Sequence, residues 1–194
     1  AGAGEGDGGT TLDAYGPTRI IYWDTVDANQ NLTLYDMKLY DGEMPYDGGA
    51  VWASAGSLTV DHVTFDGNIA AGQGGAINWD DGGESAYSLT ITNSTFTGNS
   101  SSGMSCSSGG AIWAMGSMTV SDSTFTGNST CDWGGAIYGT RSGASTLTID
   151  HSSFEANHGD RGAAVAVYAE DATFSHDAYT ANVASYSGGA LYVN

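Results

Sequence analysis

The sequence is short of cations. Lys and Arg together number 4 in 194 residues, against 22 Asp and Glu, for a formal net charge of −18. Nucleic-acid backbones and anionic membranes are held by clustered Lys and Arg, so neither is expected as a partner. Proline is nearly missing, at 2 residues, while glycine reaches 30. Collagen is excluded, because it needs a strict three-residue glycine period and far more proline. No run approaches the roughly 18 apolar residues that a membrane-spanning helix requires, so no transmembrane segment is expected. No apolar stripe of helical period appears anywhere. The chain does hold apolar material: 40% of it is hydrophobic, with 5 Trp and 11 Tyr, too much for a chain that stays disordered. Its length suits one domain with its own core.

What fills the sequence is a repeat. Gly48-Gly49-Ala50-Val51-Trp52 recurs from Gly74, Gly109 and Gly134, in degraded form from Gly162, and again from Gly188, at intervals of 26, 35, 25, 28 and 26 residues. A second motif lies inside each interval. Leu58-Thr59-Val60 leads to Phe65-Asp66-Gly67-Asn68, and Leu89-Thr90-Ile91 leads to Phe96-Thr97-Gly98-Asn99. The pairing returns at Met118 and Phe125, at Leu147 and Phe154, and at Ala172 and Tyr179, with a weaker first copy at Leu32 and Leu39. Each repeat thus carries three short β-type segments, at Gly-Gly-Ala-Ile, at Leu-Thr-Ile and around Phe, parted by Gly, Asn, Asp and Ser. Such a unit cannot bury its apolar side alone. Stacked on copies of itself at about 4.8 Å per strand it can, which predicts a parallel β-helix. Six coils are expected, at 18–47, 48–73, 74–108, 109–133, 134–161 and 162–187, with a fragment at 188–194 and a Gly-rich N-terminal segment at 1–17.

Columns in such a stack carry more meaning than single residues. The Leu/Ile and Phe columns should point inward and the Thr column outward, by two-residue alternation. The Asn column (Asn68, Asn99, Asn128, Asn157, Asn182) ends a strand, where Asn tolerates unusual backbone angles and ladders its amide to the next coil. Cys106 and Cys131 each stand three residues before a Gly-Gly pair, so they occupy one column of adjacent coils. Stacked Cα atoms about 5 Å apart suit a disulfide, which implies an oxidising compartment. Two Cys without a nearby His pair argue against zinc.

The pairing of Gly-Gly-Ala-Ile/Val/Leu with Phe-X-X-Asn resembles the repeat of chlamydial polymorphic outer-membrane proteins and related bacterial right-handed β-helix surface proteins. The resemblance covers about residues 48 to 194, with 18 to 47 a weaker first coil. It implies a right-handed, single-stranded parallel β-helix, secreted or exposed on a cell surface, used for adhesion or as structural material and holding no cofactor.

Many parallel β-helices cleave polysaccharides, so a lyase or glycoside hydrolase of the pectate-lyase-like fold is the alternative. Glycosidases need two or three carboxylates converging on one face. Asp80-Asp81 is the adjacent pair of that sort within the repeats, and His158-Gly159-Asp160-Arg161 loosely resembles a His-bearing stretch of polygalacturonases. Asp80 falls six residues after its Gly-Gly start and His158 four residues before the next, so convergence is not expected. The cations Arg19, Lys38, Arg141 and Arg161 occupy unrelated columns. A non-enzymatic protein with no catalytic residues is therefore expected.

Other features point to binding. Asp80, Asp81 and Glu84, in the longest repeat, offer oxygen ligands to calcium. Asp36, His62, Asn93, Asp122, His151 and His176 align two residues past the Leu-Thr-Ile strand. They would bind a cation, respond to pH, or simply tolerate a turn conformation. The rings Tyr22, Trp52, Trp113, Tyr138 and Tyr192 follow the inward Ile/Val column and so should face outward, as a surface for a glycan, a host or neighbouring cell, or a protein. Head-to-tail self-association is expected through the terminal strands, Arg19-Ile20-Ile21-Tyr22 against Ala190-Leu191-Tyr192-Val193, because unpaired strand edges template pairing.

Overall fold

The structure, a computed structural model, describes residues 9–25, 30–83, 86–103, 106–140 and 145–194. Every strand pairing in it is parallel, and no helix occurs among the described residues. Three sheets run the length of the stack, and the chain visits each of them once per coil. The result is the expected parallel β-helix of about six coils.

The Gly-Gly-Ala-Ile segments build a seven-stranded sheet. Its strands are Ile21–Asp24, Val51–Ser54, Ile77–Asp80, Ile112–Met115, Ile137–Thr140, Val165–Val167 and Leu191–Val193. Their first residues stand in one unbroken register. Val51, Ile77, Ile112, Ile137 and Val165 are fully buried, as alternation requires. The glycine pair ahead of this sheet has two separate causes. The first glycine of each pair sits at φ between 57° and 73°, where L side chains are disfavoured. At the second, in Gly49, Gly75, Gly110 and Gly135, a Cβ would drive into the backbone oxygen of the equivalent residue one coil on.

The Leu-Thr-Ile and Phe segments share a second, eleven-stranded sheet. In the first two coils they form single strands, Asn31–Tyr40 and Ser57–Asp66. In later coils each divides in two, as in Ser88–Thr92 and Thr95–Thr97. The division falls at the Asp36/His62/Asn93/Asp122/His151/His176 column, where φ lies between 49° and 56° in all six coils. Short polar side chains and His tolerate that left-handed corner.

The third sheet is a finding that the sequence did not announce. Six strands form it, among them Glu43–Met44, Ile69–Ala70, Ser100–Ser101 and Ser129–Thr130. The last three of these follow the Asn column, and all four, at two residues each, are too short to show a period. The stack also starts earlier than residue 18. The strand Thr10–Asp13 pairs with Met37–Tyr40 and covers the outer edge of the first coil there.

Ladders hold the coils in line. Phe65, Phe96, Phe125, Phe154 and Tyr179 stack face to face at 4.6, 4.7, 4.8 and 5.1 Å. Asn68, Asn99, Asn128 and Asn157 are fully buried, and each donates its Nδ2 to the Oδ1 of the next Asn at 2.9 to 3.0 Å. The same Nδ2 atoms donate to backbone oxygens one coil back, such as Phe65 O and Phe96 O. A serine ladder that sequence reasoning missed runs beside them. The backbone N–H groups of Val63, Ser94 and Ser123 donate to the Oγ of Ser94, Ser123 and Ser152.

Candidate functional site

The outward face of the seven-stranded sheet carries the rings. Its column reads Tyr22, Trp52, Asn78, Trp113, Tyr138, Ala166, Tyr192 in register. The row of rings expected from the sequence is therefore interrupted at Asn78 and Ala166. Trp113 also departs from expectation, since it is 8% exposed and not a surface ring. Tyr22 is open to solvent and stacks on Trp52 at 4.9 Å.

A denser cluster occupies the C-terminal half of this face. Trp133 stacks on Tyr168 at 5.0 Å and approaches Tyr138 at 5.9 Å and Tyr192 at 5.6 Å. The Arg161 guanidinium lies 5.0 Å from the centre of the Trp133 ring, 4.7 Å from that of Tyr186 and 5.9 Å from that of Tyr192. Its Nε is buried without a hydrogen-bond partner. Three local features build the cluster. Trp133 and Arg161 each precede a left-handed glycine, so they stand one coil apart in a single column and bridge in parallel. Ala166, small and fully buried, leaves a gap in the ring row between Tyr138 and Tyr192. A register shift after Gly159, where Arg161 pairs with Ser187, is a bulge that re-aims the neighbouring side chains. Burial raises the phenol pKa of Tyr138 and Tyr168. Flat rings around a cation make a platform suited to the apolar faces of sugars or to peptide planes.

The corner column forms a second constellation. Asp61 Oδ1 accepts from Thr92 Oγ1 and Asn93 Nδ2 of the next coil, both at 2.9 Å, and pairs with His62 Nδ1 at 2.8 Å. Three coils on, Asp150 repeats the device with two histidines. His151 Nδ1 lies 2.8 Å from Oδ2, and His176 Nδ1 lies 3.0 Å from Oδ1. Ser175 Oγ donates to Oδ1 at 2.7 Å. The imidazoles of His151 and His176 stack at 4.4 Å. Hydrogen bonds from Ser175, His176 and His151 hold the Asp150 carboxyl far below the usual carboxylate range, and Asp150 in turn raises His151.

A family model described as the right handed beta helix region matches residues 26–193. The chain belongs to the right-handed β-helix family. No match was found among curated proteins or among solved structures.

The other expected sites in this β-helix fare unevenly. Cys106 and Cys131 form a disulfide across adjacent coils, with Cα atoms 5.3 Å apart. That bond fits an oxidising environment. Two of the three calcium candidates, Asp80 and Asp81, lie among the described residues. Asp80 and Asp81 each accept the backbone N–H two residues on, Asp81 is fully buried, and Glu84 lies outside the described residues. Asp80 ends a strand of the seven-stranded sheet, whereas His158 begins the strand His158–Arg161 of the six-stranded sheet. Arg19 is tied to the backbone oxygens of Asp47 and Gly48, and Lys38 pairs with Asp66 at 2.7 Å. Arg141 lies outside the described residues. Of the self-association segments, Ile20, Ile21 and Leu191 pack against the core, and Leu191–Val193 pairs on one side with Val165–Val167. Sequence reasoning missed Trp133, Tyr168 and Tyr186. The column ahead of the Gly-Gly pairs contains both Trp133 and Arg161, and would have exposed their contact.

Proposed function

We propose that this β-helix is a non-enzymatic, extracellular or cell-surface protein that serves as structural material and as an adhesive surface. The observation that carries the reading is the Trp133–Tyr168–Arg161 cluster, a ring platform beside the seven-stranded sheet. The fold by itself does not choose, since function lives in sites set on folds. A neutral glycan is the favoured ligand class, because rings stack on sugar faces and a net charge of −18 repels polyanions. The Cys106–Cys131 disulfide supports an extracellular setting. The outer edges of Ile21–Asp24 and Leu191–Val193 pair with no described strand, which suits continuation of the stack by further coils or by a second copy.

The test is binding to immobilised neutral and uronic-acid glycans, with product release assayed in the same samples. Saturable binding to a neutral glycan, lost in Trp133→Ala/Tyr168→Ala and without new reducing ends, is the expected outcome. Depolymerisation of any glycan would replace the reading by a carbohydrate-active enzyme. Light scattering across concentration and salt distinguishes a head-to-tail assembly from a monomer.

A further inference from the structure

We propose that Asp150, His151 and His176 form a surface site for one divalent transition-metal ion of the zinc, copper or nickel type. One donor atom from each residue lies within 4.8 Å of the other two. The two Nδ1 atoms stand 2.8 and 3.0 Å from the carboxylate oxygens. Donors bound to one ion at about 2.0–2.1 Å are separated by about 2.9 Å at a right angle and about 3.3 Å at the tetrahedral angle. The nitrogen–oxygen spacings already match those separations, and rotation of the side chains within the 4.8 Å cluster closes it to three ligands, with water completing the sphere. Each ring would coordinate through Nδ1 and keep its proton on Nε2. The rings are 56% and 69% exposed, so that proton has access to water.

The backbone prepares the site. Both histidines occupy the left-handed corner, at φ 50° and 56°, in adjacent coils. Strand register places Asp150 beside Ser175, which fixes the carboxylate through Ser175 Oγ. Two imidazoles and one carboxylate select borderline ions, whereas calcium and magnesium prefer all-oxygen sites. The excess of acidic residues raises the local concentration of any cation.

The molecule contains its own control. At the Asp61 corner the next coil supplies Asn93 in place of a second histidine, so only one imidazole meets the carboxylate. His176→Asn would reproduce that corner, with its tolerated backbone and its amide bond to the aspartate, while removing one metal ligand.

The experiment is calorimetric titration of Zn²⁺ into tag-free, chelator-stripped protein, with Cu²⁺ and electron paramagnetic resonance as the second readout. The expected result is one saturable equivalent and a copper spectrum with two nitrogen ligands. His176→Asn should weaken binding at least about tenfold, since loss even of an outer-sphere partner costs 10–100-fold. His62→Asn should leave it unchanged, and calcium should not compete. Absence of saturable Zn²⁺ binding, or equal binding by His176→Asn with its melting temperature intact, would overturn the site.

Discussion

Replacing Asn128 by Ala tests the asparagine ladder at its centre. The Asn128 Oδ1 accepts from the backbone N–H of Asn99 at 3.0 Å and from its Nδ2 at 2.9 Å. The Asn128 Nδ2 donates to Asn157 Oδ1 and to Phe96 O, each at 3.0 Å. Alanine removes all four bonds in a site with no solvent exposure. A typical intramolecular hydrogen bond contributes about 1 kcal/mol net, and an orphaned buried group costs more, so a loss of about 4 kcal/mol is expected. That is a large share of the 5–15 kcal/mol typical of a whole domain. At about 2–4 °C per kcal/mol for a chain of this size, the melting temperature should fall by about 8–16 °C. Asn182 is the internal comparison. It accepts from the Asn157 N–H and Nδ2 and donates to Phe154 O, but it is half-buried at the end of the row. Water replaces its bonds, so Asn182→Ala should cost about 1–2 kcal/mol. Circular dichroism melts of both variants decide the matter. A drop under about 1 kcal/mol for Asn128→Ala, or equal drops for both, would refute the claim that the buried amide ladder carries the energy.

Three further outcomes follow from other parts of the stack. Ala156 sits exposed at φ 54°, in the column where Gly67, Gly98 and Gly127 take φ 61–65°. A left-handed L residue costs about 1–2 kcal/mol and glycine's extra chain entropy about 0.5–1, so Ala156→Gly should raise stability by about 0.5 kcal/mol in denaturant melts. The disulfide closes a loop with a sequence separation of 25, so Cys106→Ser should cost about 3.5 kcal/mol against oxidised wild type by the chain-entropy relation, and reduced wild type should melt close to the variant. The Asp61 carboxyl is held below its ordinary pKa, chiefly by the hydrogen bond from Asn93, with Thr92 and His62 adding to it. Its stabilising contribution is complete above the unfolded value of about 3.9 and is lost as pH falls through the lower folded value. The stability gap between wild type and Asp61→Asn should stay flat from about pH 5 to 7 and close in more acidic solution, where equal gaps would count against the pairing.

The sequence by itself determined the coil, the register and the columns. A residue repeated at one offset from each Gly-Gly pair meets its own copies one coil on, so the asparagine ladder, the phenylalanine stack and the Cys106–Cys131 bond follow from spacing alone. Period and alternation are local, and they survive insertions such as the one that lengthens the third repeat. The third sheet stayed hidden because strands of two residues show no period, and because apolar Ile69–Ala70 and the hydroxyl pairs Ser100–Ser101 and Ser129–Thr130 repeat no single residue pattern. Contacts between different columns were also decided only by the tertiary structure. Arg161 meets Tyr186 and Tyr192 across a register shift, and Trp133 reaches Tyr168 from the other end of a strand. Asp150 gathers His151 from its own corner and His176 from the next. Those meetings depend on side-chain direction and on one inserted residue, quantities that repeat spacing does not contain.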